Sequence, residues 1–314
     1  MPGFKQHVAP WLVFPIIMSA GLCSTQALIA LGQSPVAAAL ISVLVFGFAV
    51  IPLLERLIPY RQEWNKNHSD LGPDLIYMVS NVLIPKLWTP VQVLVLASIT
   101  IELTERWGSS LWPDSLHWLP GLFLMLLIAE FGRYWVHRAA HQLWWLWRLH
   151  AVHHSSERLY FLNANRFHPL EKLLFQIPEV APFVLLGTPV EIIAMYFTFN
   201  SLHGFMQHGN VHIKAGWLNY IFSMTELHRW HHSELLEESD RNFGNNLIIW
   251  DILFGTFYYP KGREVGVVGL LSKDYPQRWW QQMKAPFSRA DLSKPAGYLR
   301  REPENASTEN GQYE

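Results

Sequence analysis

The sequence predicts an all-α integral membrane protein: a helical bundle of four N-terminal spans plus a helical hairpin, joined to a histidine-rich domain that faces the cytosol. Three observations carry that prediction. Half of the 314 residues are apolar and only 16% are charged, where a soluble globular domain carries nearer a quarter. Long apolar runs recur along the chain. Ten of its 15 histidines fall in two short windows.

Trp11–Leu31 is 21 residues without a formal charge, and Pro35–Leu54 is another 20. Each is long enough to cross a hydrocarbon core of roughly 30 Å as a helix. Joined by Gly32-Gln33-Ser34, they read as a transmembrane hairpin. A cleaved signal peptide is the competing reading of the first run, but the run is long for one and a second span follows at once. Leu75–Ile101 is a third run, interrupted by Pro85, Lys86 and Pro90, and is predicted to be a kinked or tilted span. Leu119–Val136 is a fourth, with Glu130 and Arg133 near its end. Leu173–Leu202 is broken by Gly187-Thr188-Pro189 and reads as two helices joined at that turn. A buried core helix is the alternative for any single run; five in one chain argue against it for the set.

Arg56, Arg61 and Lys66 follow the second span and Lys5 precedes the first, whereas Arg106 is the only Lys or Arg between the third and fourth runs, beside Glu102, Glu105 and Asp114. The positive-inside rule therefore puts the N-terminus and the 55–74 loop in the cytoplasm. Four crossings return the chain there where the histidines begin. From about Pro286 the chain is polar and expected to be disordered. The expected organisation is N-terminal transmembrane helices over 1–118, a histidine-bearing domain over 119–262 and a polar tail over 263–314. A net charge of −1 offers no basic face to a nucleic acid, and Cys23 is the only cysteine. Internal disulfides, Cys-ligated iron–sulfur clusters and Cys-based zinc sites are thereby excluded.

The first histidine window holds His137, His141, His150, His153 and His154; the second holds His208, His212, His228, His231 and His232. Each reads HxxxH, then HxxHH. Residues three or four apart share a helix face, so each short motif aims its imidazoles at one point. Nine residues separate His141 from His150, half a turn out of phase on one straight helix. A bend or second helix is needed there, and again between His212 and His228. Gly216 supplies a breaker in the second case; Gln142–Leu149 contains neither Gly nor Pro. Both windows can share a site only if the 173–202 region crosses the membrane an even number of times or dips in, as a hairpin does. Ten imidazoles exceed the four ligands of a structural zinc and suit two metal ions with open positions. Hydrogen-bonded core histidines are the bland alternative, which suits His7, His68 and His117. A metal transporter is another, but it would place ionisable groups at mid-span in several helices; Lys86 and Glu191 are nearly alone there.

The strings His137-Arg-Ala-Ala-His141, Leu149-His-Ala-Val-His-His-Ser-Ser-Glu157, Asn163-Ala-Asn-Arg-Phe-His-Pro169, Gln207-His-Gly-Asn210, Glu226-Leu-His-Arg-Trp-His-His-Ser233 and Arg241-Asn-Phe-Gly-Asn-Asn246 resemble the fatty acid hydroxylase and sterol desaturase superfamily. The resemblance, which extends to Trp250-Asp251 and Phe254-Gly-Thr256, covers about residues 120–260 and is closest to bacterial sterol-desaturase-like members. It implies a membrane-bound oxidoreductase with two non-haem iron ions, using O2 and two electrons to hydroxylate or desaturate a lipid. The ten clustered histidines are the implied ligands. In the family the position of His212 is often not histidine, and His168 is a reserve ligand. Iron is favoured because an unactivated C–H bond demands a redox-active metal, and zinc, the ion expected on misloading, offers no redox change. No carboxylate-rich helix set of the ferritin type is present.

Ligating histidines usually pass their other N–H to a carboxylate, carbonyl or amide. Glu157, Asn163, Asn210, Glu226, Asp240, Asn242 and Asp251 are near enough in sequence to serve, with capping or surface charge as the alternative. Asn165 and Arg166 are candidates to face substrate, and the tryptophans at 144, 145 and 147 to form an interfacial belt or tunnel wall. Neither a GxGxxG motif nor length for a haem domain is present, so a separate cytochrome- or ferredoxin-type donor with its reductase is expected. A bacterial inner membrane is favoured over the endoplasmic reticulum, since no Lys-Asp-Glu-Leu-type retrieval signal ends the chain. Carotenoid and alkylglycerol oxygenases share the histidine logic and remain alternatives in substrate.

Overall fold

The computed structural model describes residues 7–107, 111–113 and 115–288. Lys5, Asp114 and the tail expected to be disordered, beyond Ser288, lie outside the described residues.

The chain opens with α1 (Ala9–Ala30), whose Pro10 sits in the first turn, where a missing N–H is harmless. Gly32 turns the chain at φ +89. The Ser34 hydroxyl then accepts from the Ala37 N–H to cap α2 (Pro35–Val45). This helix runs on through wider π-helical turns at Phe46–Val50 into α3 (Ile51–Leu57), where Pro52 has no N–H to continue the regular ladder. Next, α4 (Leu71–Trp107) accommodates Pro85 and Pro90 within one helix of 37 residues. At the usual rise this is about 55 Å, well beyond a hydrocarbon core. Its N-terminal turns accordingly carry buried polar groups, Asp74 and Asn81, that tie it to the histidine region. Farther along, Leu87 and Leu94 are 76% and 77% exposed, as expected of a lipid-facing stripe.

Two further helices carry the first histidines: α5 (Trp118–Gln142), capped by His117, and α6 (Trp144–His154). Then come α7 (Pro169–Leu186) and α8 (Val190–His208), joined at Gly187, which takes the left-handed conformation (φ 66) that favours glycine. The predicted hairpin therefore exists, although its helices begin earlier and end later than the apolar run. Short helices complete the described residues: α9 (Thr225–His231), α10 (Leu236–Ser239), α11 (Ile249–Leu253) and α12 (Trp279–Lys284). Among the described residues there is no β-strand, only three isolated bridges.

Among the described residues four helices are long and apolar enough to cross a membrane: Ala9–Ala30, Pro35–Leu57, Leu71–Arg106 and Trp118–Gln142. The α7–α8 hairpin is not among them; Glu171, Lys172 and Glu179 punctuate its first helix. One core joins α1, α2, α5 and α8 through Phe14, Ile17, Val43, Met125, Met195 and Leu202. A Cβ on Gly21 would lie 2.3 Å from Leu202 Cδ1, so α1 and α8 approach more closely there than any side chain permits.

Candidate metal centre

The histidines gather where α5 ends and α6, α8 and α9 begin or end. On α5, His137 and His141 lie one turn apart. The helix stops at Gln142, and Leu143 takes an extended conformation (φ −92, ψ 118) before α6 starts. That single residue supplies the change of phase that the nine-residue spacing requires. His150, His153 and His154 follow on α6, His208 ends α8, and His228 and His231 lie on α9 with His232 as its cap.

Two groups result: His137, His141, His150, His154 and His231 form one, and His153, His208, His228 and His232 the other. Within each, one ring nitrogen per residue lies within 4.8 Å of all the others, and all nine are buried. The groups adjoin, with the His154 and His232 ring centroids 4.6 Å apart.

Hydrogen bonds fix several tautomers. A backbone carbonyl only accepts, so Nδ1 carries the proton in His137 (to Phe243 O, 2.6 Å), His153 (to Arg166 O, 3.2 Å), His208 (to Gly204 O, 3.0 Å) and His231 (to Arg241 O, 2.8 Å). Their Nε2 atoms then present lone pairs. Yet His153 Nε2 and His208 Nε2 face each other at 3.3 Å. Two lone pairs at that distance repel unless a cation lies between them. Nor does protonation resolve the clash: burial is the main cause that pushes the His208 pKa down to about 4 and that of His153 well below the ordinary imidazole value. Burial first, then neighbouring imidazoles, does the same to His150, His154, His228 and His232. Neutral imidazole is the form that binds metal. His231 Nε2 and the Nδ1 atoms of His228 and His232 are buried without a hydrogen-bond partner among the described residues. Nine buried imidazoles in groups of five and four, each offering a ring nitrogen to its group, fit two metal ions.

His212 stands apart from both groups. The i, i+4 relation to His208 needs a continuing helix, but α8 ends at His208 and Gly209 turns the chain (φ −58, ψ 137). The His212 ring instead faces Tyr60, at 6.3 Å between centroids. His168 likewise lies outside the groups: it caps α7, its Nδ1 accepting from the Leu170 N–H (3.2 Å).

The supporting residues divide in the same way. Asp240 accepts from His141 Nδ1 at 2.9 Å. Asp251 accepts from the Phe243 and Gly244 N–H groups at 2.8 and 2.7 Å, which holds the loop whose carbonyl meets His137. Asn242, at φ 54, anchors that loop to Leu227 O and Tyr258. Arg166 meets His153 through its carbonyl, while its guanidinium pairs with buried Asp74 at 2.6 Å. Asn163 donates to the same aspartate (2.9 Å), and the Asn165 carbonyl accepts from Asn81. Asn210 binds Arg61 and Asn65, Glu226 binds the Ala215 N–H, Asn219 and Tyr259, and Glu157 is exposed; none of these three touches a clustered histidine. Trp147 packs 5.1 Å from the His141 ring, while Trp144 and Trp145 are exposed.

Sequence reasoning missed Glu171, whose carboxylate meets His150 Nδ1 in a fully buried contact. Its signal was a carboxylate three residues past His168 at the edge of an apolar run, which also suits a helix first turn. Glu171→Gln is expected to lower metal affinity about 10–100-fold, checked by equilibrium dialysis against iron.

A fatty acid hydroxylase family model matches residues 122–256. The chain is 35% identical over 250 residues to ornithine lipid hydroxylase OlsE of Rhizobium tropici, covering 77% of this chain and 73% of that protein. It is 33% identical over 183 residues to the alkylglycerol monooxygenase of Danio rerio, covering 54% of this chain but only 40% of the relative. A very-long-chain aldehyde decarbonylase of Oryza sativa, GL1-8, is 28% identical over 145 residues, 45% of this chain and 54% of that protein. No solved structure matches the chain.

Proposed function

Because the chain belongs to the fatty acid hydroxylase family, we propose that it is a membrane-bound, non-haem di-iron oxidoreductase that hydroxylates a C–H bond of a membrane lipid. The observation that carries this reading is the pair of buried histidine groups, five and four, at the end of a candidate span. When bound, iron would supply the redox change and O2 activation that such a bond demands. The polypeptide supplies the rest. Nine imidazoles hold the metal pair; Glu171, Asp240 and the carbonyls of Arg166, Gly204, Arg241 and Phe243 hold six of their Nδ1 atoms and so aim the rings. Burial of all nine excludes bulk water, protecting reactive chemistry from side reactions.

Hydroxylation is preferred to desaturation because the two most extensive of these alignments are with proteins named a hydroxylase and a monooxygenase. The catalytic unit in this reading is residues 119–262. Electrons come from a separate cytochrome- or ferredoxin-type donor with its reductase, docking on the histidine side. A bacterial inner membrane with that side facing the cytosol is consistent with the bacterial relative and the loop charges.

The test is turnover in lipid nanodiscs with iron, a reductase system and 18O2, followed by lipid mass spectrometry. One labelled oxygen per product lipid is expected. Loss of two hydrogens without label would replace hydroxylation by desaturation. Unchanged lipid, with electrons consumed and membrane lipids of several headgroups present, would refute the reading.

A further inference from the structure

His212, left over from the metal centre, lines a polar cavity of about 340 Å³. Its other walls include Tyr60, Lys214, Arg229 and Lys261. The cavity sits where two candidate spans meet the histidine region. The Lys214 N–H donates to the carbonyl of Pro10, in the first turn of α1, at 3.0 Å, and the His212 N–H donates to that of Ile58, just past α3, at 2.9 Å. Beside it the 216–220 turn exposes Trp217 and Tyr220, the aromatic types that favour a membrane–water interface. The opening is therefore at the level of lipid headgroups.

The charge balance favours an anion. Arg229 is only 3% exposed and lies over the Tyr60 ring at 3.7 Å. One of its nitrogens donates to Val211 O at 2.7 Å, but Nε is buried with no partner. The Arg229 charge is therefore enclosed beside the cavity without a carboxylate in contact among the described residues, and an anion in the cavity would offset it. The side chains of Lys214 and Lys261 make no hydrogen bond or ion pair among the described residues. Two carboxylates also line the cavity: Glu226, already engaged by Ala215, Asn219 and Tyr259, and Glu264. Arg263 is held by Glu238 at 2.8 Å. Three cations held in no ion pair, Arg229, Lys214 and Lys261, thus face two carboxylates, Glu226 and Glu264, and the cavity keeps a surplus of positive charge. At His212 burial lowers the pKa first, and the charges of Arg229 and Lys214 add to it against a smaller opposing pull from Glu226 and Glu264.

We propose that this cavity binds the phosphate group of an anionic membrane lipid. Phosphate offers several acceptor oxygens to Lys214 and Lys261 and negative charge to the field of the enclosed Arg229, and basic pockets at the ends of spanning helices suit such headgroups. The site is separate from the metal centre and does not depend on its chemistry.

Isothermal titration of the metal-loaded protein in non-ionic detergent tests this, with dihexanoyl phosphatidic acid, dihexanoylglycerol and inorganic phosphate as probes. Phosphatidic acid is expected to bind once per chain, and dihexanoylglycerol not at all. A Lys214→Gln, Lys261→Gln double variant should bind phosphatidic acid at least about tenfold more weakly, with iron content unchanged. Lys273→Gln, at an exposed lysine paired with Glu234, should bind as the parent does. Equal affinity for inorganic phosphate would overturn the lipid source in favour of a soluble phosphate. Unchanged affinity in the double variant, or binding of dihexanoylglycerol as tightly as phosphatidic acid, would overturn the site itself.

Discussion

A His153→Ala, His231→Ala double variant is expected to lose lipid hydroxylation by more than about 1,000-fold while keeping its helical content. The substitution takes one imidazole from each group, leaving four nitrogens in the first and three in the second. Removing a residue that merely orients a ligand costs 10–100-fold in affinity or activity, so removing a ligand from each metal costs more. Both rings are buried, and each loss opens a void, so stability falls as well. Circular dichroism and size-exclusion profiles separate that effect from loss of the site. A variant that folds and retains more than a tenth of parental turnover would show that these rings are not ligands.

The second large effect is structural and lies one layer out. Asp74→Ala is expected to destabilise the protein by about 3–5 kcal/mol. Asp74 accepts from Arg166 Nε at 2.6 Å, Tyr160 OH at 2.7 Å and Asn163 Nδ2 at 2.9 Å. Asp74 and Arg166 are 0% and 1% exposed, so alanine strands a guanidinium, a hydroxyl and an amide inside the protein. Replacing the pair by apolar side chains, Asp74→Leu with Arg166→Met, removes both charges together and should recover much of the loss. Thermal unfolding in detergent reads both variants. An unchanged midpoint in Asp74→Ala would mean that the pair contributes little. Since the Arg166 carbonyl accepts from His153 Nδ1, the same variant should also loosen the four-histidine group.

Much of this architecture is readable in the sequence, because membrane spans and helical spacing are one-dimensional signals. Apolar length announces α1, α2 and α5, and Gly187 announces the turn between α7 and α8. The i, i+3 and i, i+4 spacings bring together nine histidines. They mislead at His212 because spacing implies a shared face only while the helix continues, and Gly209 was the legible sign that it does not. The break at Leu143 has no local signal, since neither Gly nor Pro lies in Gln142–Leu149. The supporting shell was least legible. Four of the histidine Nδ1 partners are backbone carbonyls, which leave no trace in residue identity. Asn210 and Glu226 are near the motifs in sequence yet hold other loops. Glu171 and Asp74 looked like ordinary first-turn acids until the fold placed them inside.

One chain is expected to hold two metal ions in the groups of five and four histidines. Elemental analysis of protein purified in detergent from iron-supplied cells tests it most directly, beside the His153→Ala, His231→Ala variant and a His212→Ala variant. Two irons per chain are expected in the parent and in His212→Ala, and a loss of both in the double variant. Stoichiometric metal absent from the parent, or retained at two per chain in the double variant, would contradict it.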